Sequence, residues 1–193
     1  MHITGIIGSP RPKRNTAVLV GQVLAGAAER GAHTASYTIS QMQIAPCNGC
    51  EACKHTAQCV IKDDMHTLYA ALNQSQGLVL GTPIYFDHVS AQTKTFLDRL
   101  YAYLGPQLEH YYPRGVAAVL AVCYGDGDPA LYEEVVAWLR ERLSFYYGIH
   151  TLAVVKLHDA DARPAARRPE ALAQAFAAGQ QLVDYLSQTP HGG

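Results

Sequence analysis

The chain has 193 residues, of which 49% are hydrophobic, so it is long enough to bury one substantial core, and we expect a single domain over residues 1–193. Its formal net charge is −1 and 16% of its residues are charged, with no long basic run, which excludes the electrostatic footprint of a protein that binds nucleic acid or an anionic membrane. We therefore expect a small-molecule partner. The longest apolar stretch, residues 116–124, is too short to span a bilayer, and we expect a cytoplasmic protein.

The first predicted element is a strand over the apolar run of residues 3–7, followed directly by a polar loop and then by an alanine- and leucine-rich helix. Backbone N–H groups at the start of a helix are unpaired and carry a partial positive charge. The loop adds the donors that an anion needs: the hydroxyls of Ser9 and Thr16, the amide of Asn15 and the guanidinium of Arg11. We therefore predict a phosphate site and call residues 8–16 the phosphate loop; an ordinary polar loop is the alternative.

The phosphate loop lacks two common nucleotide signatures. It has no glycine-lysine-serine/threonine ending, which a triphosphate-binding loop requires. It also lacks the three spaced glycines that let a backbone approach the pyrophosphate of a dinucleotide. The compatible ligand is a compact monophosphate.

Strand and helix patterns alternate along the rest of the chain. The further predicted strands cover residues 33–39, 77–81, 116–123 and 149–157. The clearest helix follows Ser90, a predicted N-cap, and its apolar face is formed at helical spacing by Thr93, Phe96, Leu97, Leu100 and Leu104. Loops follow the third and fourth strands at residues 82–86 and 124–129.

This alternation predicts an α/β fold: a doubly wound, five-stranded parallel sheet with helices on both faces, in the flavodoxin-like order 2-1-3-4-5. The first and third strands then flank the point where the strand order reverses, so the phosphate loop lies beside residues 82–86. A phosphate site at one end and a flat, partly aromatic wall at the other suit flavin mononucleotide (FMN).

Two loops are candidates to contact the flavin ring. The first contains Pro83, Ile84, Tyr85 and Phe86, whose aromatic side chains could stack on the ring, although twelve tyrosines in the chain make a chance placement easy. The second contains Gly125, Asp126 and Gly127, where the glycines would let the backbone approach the ring; a plain turn is the alternative.

Four of the five cysteines lie in an aperiodic segment, residues 44–61, which we call the cysteine loop. Their spacing is C-x2-C-x2-C-x5-C, formed by Cys47, Cys50, Cys53 and Cys59. Thiolates this close would repel one another unless a metal neutralised them, and a run of three with a near fourth is typical of [4Fe–4S] ligation. Zinc and an empty loop are the alternatives. We expect Cys123 to be a buried thiol. We expect Asp63 and Asp64 to cap the helix that follows the cysteine loop.

The sequence resembles the NADPH-dependent FMN reductase-like proteins of the flavodoxin fold, and within them the iron–sulfur flavoproteins. The resemblance rests on Gly8-Ser9-Pro10-Arg11 with Asn15-Thr16, on Pro83-Ile84-Tyr85-Phe86 with the segment Ser90 to Arg99, and on the cysteine run with Asp63-Asp64-Met65. It implies bound FMN, with Ser9, Arg11, Asn15 and Thr16 on the phosphate and residues 83–86 beside the ring. It also implies homodimers or homotetramers.

We therefore expect an FMN-dependent oxidoreductase that moves electrons between a [4Fe–4S] cluster, FMN and NAD(P)H or a small acceptor such as a quinone. The flavin would carry the chemistry, so no catalytic side chain is predicted. A ferredoxin-like protein is an alternative electron partner. The alternative functions are a non-enzymatic electron carrier or redox sensor, and an NAD(P)H:FMN reductase whose cysteine loop holds structural zinc or no metal.

Overall fold

The computed structural model describes residues 1–189, so the last four residues of the expected domain, 190–193, lie outside the described part of the chain. Its strands are β1 (His2–Ile7), β2 (His33–Thr38), β3 (Gly77–Tyr85), β4 (His88–Val89), β5 (Ala117–Cys123) and β6 (His150–Leu157). Its helices are α1 (Asn15–Glu29), α2 (Cys53–Thr56), α3 (Met65–Asn73), α4 (Ala91–Arg99), α5 (Glu133–Tyr147) and α6 (Pro169–Gln188). Within residues 1–189, no helix is long and apolar enough to cross a membrane.

The longer strands form one parallel sheet in the order β2-β1-β3-β5-β6, and β4 pairs antiparallel with β3. The expected α/β architecture with a parallel sheet is confirmed. The expected five strands in the order 2-1-3-4-5 need a correction, because β4 is an additional strand and the order in chain numbering becomes 2-1-3-5-6. A strand of two residues is too short to show a period in the sequence.

Helices cover both faces of the sheet, as expected, and each face has its own core. Alternate residues of β3 point in opposite directions, so Leu78 and Leu80 pack in one core and Val79 in the other. The first core includes Met65, Leu68, Phe96, Leu139 and Leu143 from α3, α4 and α5. The second includes Leu19, Val20, Val23, Ala175 and Leu182 from α1 and α6.

Two elements differ from the prediction by more than one residue at an end. β3 continues to Tyr85, through residues that we expected to be loop. Helix α4 ends at Arg99 and is followed by a 3₁₀ turn over Leu100–Tyr103, so the apolar face predicted to reach Leu104 crosses a change of helix type. The N-cap prediction is confirmed, because Ser90 Oγ accepts a hydrogen bond from the backbone N–H of Thr93 at 3.2 Å.

Helices α1 and α6 pack backbone against backbone because each has a glycine at the crossing. A Cβ atom added at Gly26 would collide with the carbonyl oxygen of Phe176, and one added at Gly179 would collide with the carbonyl oxygen of Val23. This close approach leaves no room for a methyl group on either helix.

We expect Gly26→Ala to destabilise the protein by about 1–3 kcal/mol, because two packed backbones have little freedom to move apart. Gly21→Ala is the matched control: Gly21 lies in the same helix, and nothing lies within 4 Å of an added Cβ there. It should stabilise the protein by about 0.5–1 kcal/mol. Urea unfolding followed by circular dichroism measures both values, and equal free-energy changes for the two variants would contradict the close helix crossing.

Candidate functional site

A cavity of about 140 Å³ lies at the edge of the sheet where β1, β3 and β5 end. The phosphate loop forms one side of the cavity, and the end of β3 forms a second side. The residues that follow β5 and β6 form its remaining walls. The cavity is lined by Ser9, Arg11, Arg14, Asn15, Thr16, Pro83, Ile84, Tyr85, Cys123, Tyr124, Gly125, Ala160 and Asp161.

Most of the residues predicted to bind a cofactor line this cavity, but three do not. Phe86, Asp126 and Gly127 lie outside it, on exposed loops. Phe86 is fully exposed at the turn between β3 and β4, where it and Asp87 both have left-handed backbone, with φ of 48° and 60°. Such backbone is uncommon for residues other than glycine, and it holds the Phe86 side chain away from the protein.

Sequence reasoning missed five of the lining residues: Arg14, Cys123, Tyr124, Ala160 and Asp161. The signal for four of them was present, because they stand at the ends of β5 and β6, and the carboxyl ends of parallel strands share one edge of the sheet. The loop after the last strand belonged to the same edge as the three loops that were considered.

The phosphate loop leaves the N-terminus of α1 available to an anion. Among the described residues, no side chain caps this helix and its first turn contains no acidic residue. Ser9 is buried, and its Oγ accepts a hydrogen bond from the backbone N–H of Arg11 at 3.1 Å. The Arg11 guanidinium is exposed and lies 3.9 Å from Asp161 Oδ1, an ion pair of small energy because both groups are solvated.

Asn15 uses its side chain to join α1 to the segment after β6. Its Nδ2 donates to the carbonyl oxygen of Ala160 at 2.8 Å, and its Oδ1 accepts from the backbone N–H of Ala165 at 2.9 Å. One N–H of the amide remains for a ligand. In this structure Asn15 therefore positions a wall of the cavity.

A buried group of hydroxyls fixes the phosphate loop against β3 and α4. The carbonyl oxygen of Gly8 accepts from Ser90 Oγ at 2.5 Å, and Thr93 Oγ1 donates to Thr82 Oγ1 at 2.9 Å. Ser90 Oγ and Thr93 Oγ1 are 3.0 Å apart, and all three side chains are fully buried. Buried hydroxyls that satisfy one another hold a unique geometry.

The cysteine loop places its four thiols at different depths. Cys47 and Cys50 are exposed, Cys59 is half-buried, and Cys53 is buried at the start of α2. Burial, followed by the nearby Cys59, Cys47 and Cys50 sulfurs, raises the pKa of the Cys53 thiol. The other three sulfurs are thus electrostatic neighbours of Cys53.

The thiols do not converge into a closed metal site. Across residues 1–189, no group of three or more His, Cys, Asp or Glu side chains has an arrangement that could hold a metal ion. Four soft sulfur donors in one short loop still match the chemistry of an iron–sulfur cluster. The donor set therefore fits such a group, and binding would require the sulfurs to move together.

Arg99, the last residue of α4, joins both ends of the cysteine loop. Its buried guanidinium donates to both carboxylate oxygens of Asp63, at 2.6 and 3.1 Å, to the carbonyl oxygen of Ala45 at 2.7 Å and to Cys59 Sγ at 3.4 Å. Burial alone would raise the pKa of Asp63, but hydrogen bonds from Arg99 and from the amides of Ala45 and Met65 hold it below its usual value.

The prediction that Asp63 and Asp64 only cap a helix is therefore incomplete. Asp63 Oδ1 does accept from the N–H of Met65 at 3.0 Å, but the same carboxylate is the ion-pair partner of Arg99. Asp64 Oδ2 instead accepts from the N–H of Gln43 at 2.7 Å. Both aspartates fix the chain on either side of the cysteine loop.

A larger, mainly apolar groove of about 610 Å³ lies between the cysteine loop, α4 and α5. Cys47 and Gly49 form one wall, and Tyr101, Trp138 and Tyr146 form the others. No sequence pattern predicts this groove, since its walls come from three separate segments.

Cys123 is buried, as predicted, at the end of β5. Burial raises the pKa of its thiol to about 12, although a hydrogen bond with Thr16 acts in the opposite direction. The thiol faces the cavity in its neutral form, so it is a poor nucleophile.

The family described as NADPH-dependent FMN reductase matches residues 1–159. An iron–sulfur flavoprotein of Archaeoglobus fulgidus is 39% identical over 144 residues, which cover 75% of this chain and 70% of that protein. An iron–sulfur flavoprotein of Methanocaldococcus jannaschii is 40% identical over 99 residues, 51% of each chain, so the match spans about half the length of this relative.

Two solved structures share the α/β flavodoxin-like fold. One is an NADH:FMN oxidoreductase in its apo form, with a TM-score of 0.69 and 21% identity over 98% of this chain and 91% of that chain. The other is an NAD(P)H:quinone oxidoreductase from Methanothermobacter marburgensis, with a TM-score of 0.72 and 15% identity over 94% of this chain and 96% of that chain. At these identities the similarity concerns the fold alone.

Alkylation of Cys123 tests its environment. The test uses a variant in which the other four cysteines are replaced by serine. At pH 8, iodoacetamide should modify Cys123 in the native protein roughly a thousandfold more slowly than in the urea-unfolded chain. The reason is that a thiol with this raised pKa is mostly protonated at pH 8. The native rate should rise about tenfold per pH unit up to the pKa. Mass spectrometry measures both rates, and similar rates at pH 8 would contradict a buried neutral thiol.

Proposed function

The chain belongs to the NADPH-dependent FMN reductase family, and from this premise we propose that it is an FMN-dependent oxidoreductase whose strand-end cavity binds the FMN phosphate. The observation that carries the proposal is the cavity itself, which most of the predicted cofactor-binding residues line together. An uncapped helix start, buried hydroxyls and an exposed guanidinium on one side of a small cavity are the features that a phosphate monoester requires.

The size of the cavity indicates that the phosphate end of FMN would lie inside it and the ring end outside it. About 140 Å³ is less than the few hundred Å³ that enclose a whole ligand of this size, but it suits a phosphate and the adjoining chain. The ring would then lie along the exposed carboxyl end of β3, beside Tyr85, which is 42% exposed, and Phe86. Gly125 at the cavity, with Asp126 and Gly127 beyond it, would face the ring from the opposite loop.

Each part of the chain would have a separate task. FMN, when bound, supplies hydride and single-electron transfer. The phosphate would be held by Ser9, Thr16 and the N–H groups of α1. Arg11 would leave its weak ion pair with Asp161 and bind the phosphate. Asn15 would keep the rear wall of the cavity in place. The neutral Cys123 thiol takes no part as a nucleophile.

We also propose that Cys47, Cys50, Cys53 and Cys59 bind a [4Fe–4S] cluster that exchanges electrons with FMN. The cysteine spacing, the electrostatic proximity of the other three sulfurs to Cys53 and the names of the relatives support this. NAD(P)H or a ferredoxin-like protein would supply the electrons, and a quinone or another small molecule would accept them. The protein would act as a homodimer or homotetramer.

Ligand binding with and without the phosphate tests the flavin site. Arg11→Ala should weaken FMN binding by about tenfold, the loss of one charge-assisted hydrogen bond, and should leave the binding of riboflavin unchanged because riboflavin has no phosphate. Lys13→Ala is the matched control, since Lys13 is exposed in the same loop but does not line the cavity. Flavin fluorescence titration measures the affinities. Equal weakening of FMN and riboflavin by Arg11→Ala would exclude this phosphate site.

Iron and acid-labile sulfide analysis of anaerobically purified protein tests the cluster. We expect about four iron and four sulfide ions per chain, as in one [4Fe–4S] cluster. The metal supplies the positive charge that four thiolates in one loop need. Cys50→Ser should lower the iron content and leave the FMN content unchanged, whereas Cys123→Ser should leave the iron content unchanged. Zinc, or a metal-free loop, would refute the cluster and leave the flavin proposal standing.

A further inference from the structure

We infer that Arg99 is a positioning residue of the cysteine loop: it ties the two ends of the loop together and donates an N–H···S hydrogen bond to Cys59. The consequence for a bound cluster rests on the function proposed above. The consequence for the loop itself does not, because all the groups involved belong to the chain.

The geometry of the guanidinium supports this role. One terminal nitrogen, Nη1, donates to Ala45 at the beginning of the loop and to Asp63 just after its end. The other, Nη2, donates to the second oxygen of Asp63 and to Cys59 Sγ. Asp63 in turn accepts from the backbone N–H of Ala45 at 2.9 Å, so the two ends of the loop are joined twice. A planar group with fixed donor directions can make these contacts at once.

Stability alone is a weak reason for this arrangement. The Arg99 side chain is 0% exposed and that of Asp63 is 9% exposed, so the two charges have lost most of their hydration. A buried ion pair of this kind is often no more stabilising than a pair of apolar side chains of the same volume. The feature that apolar side chains could not reproduce is the donor directed at Cys59.

A donor to a cysteine sulfur has two effects when that sulfur ligates a metal. It fixes the direction of the ligand, and partners of this kind typically contribute 10–100-fold to metal affinity. It also stabilises the more negative, reduced state of an iron–sulfur cluster, because hydrogen bonds to the sulfurs withdraw charge from it. Arg99 would therefore raise the reduction potential of the cluster.

The test uses Arg99→Lys, which keeps the charge and removes the planar pair of donors. Arg168→Lys is the matched control, because Arg168 is a second buried arginine with an acidic partner, Glu170, and does not contact the cysteine loop. A second variant, Arg99→Gln with Asp63→Asn, removes both charges together and avoids an unpaired buried carboxylate. Thermal unfolding and FMN content establish that each variant is folded.

The first measurement is amide hydrogen exchange on the metal-free full chain. The N–H of Ala45, which depends on Asp63 and Arg99, should exchange about five- to tenfold faster in both Arg99 variants, as expected for the loss of one hydrogen bond. The N–H of Gln43 is bonded to Asp64 and should be unchanged. Unchanged exchange at Ala45 would overturn the inference, whether or not the protein binds iron.

The second measurement is made on anaerobically purified protein. Both Arg99 variants should lose iron to a chelator about 10–100-fold more readily than the wild type and the Arg168→Lys variant. The cluster that remains should have a lower midpoint potential in a redox titration. Wild-type iron retention and potential in folded Arg99 variants would overturn the inference, whereas absence of iron from the wild type would refute the proposed cluster and leave the exchange result to decide.

Discussion

The phosphate loop can lie against the middle of β3 because Gly8 has no side chain. Its N–H donates to the carbonyl oxygen of Gly81 at 2.8 Å, and a Cβ atom at this position would collide with the hydroxyl of Thr93. The carbonyl oxygen of Gly8 accepts from the buried Ser90. The shape of the cavity follows from this contact, since it fixes the distance between the phosphate loop and β3.

Helix α4 connects this contact with the second candidate site. It begins beside the phosphate loop, where Ser90 is its N-cap, and it ends at Arg99, which holds the cysteine loop. A helix of this length spans about 13 Å and is stiff. The proposed flavin and the proposed cluster are therefore supported by the two ends of one rigid element, and a shift of either loop would be opposed by buried hydrogen bonds.

The sequence was sufficient to predict the parallel sheet and most of the cavity, because apolar runs identify strands and parallel strands end at one edge. It was insufficient where a contact depends on distant residues. Arg99 and Asp63 are 36 positions apart, and no local period indicates that they pair. The apolar run predicted that β3 ends at Gly81, yet the strand continues through Pro83, because the pairing of β1 with β3 stops at Gly81 and the proline lies where β3 needs one donor fewer.

The most direct measurement is a crystal structure of the protein with bound FMN. The account predicts the phosphate within hydrogen-bond distance of Ser9, Arg11 and Thr16 at the start of α1, with the ring beside Tyr85. A phosphate bound elsewhere, such as in the groove lined by Tyr101 and Trp138, would contradict it.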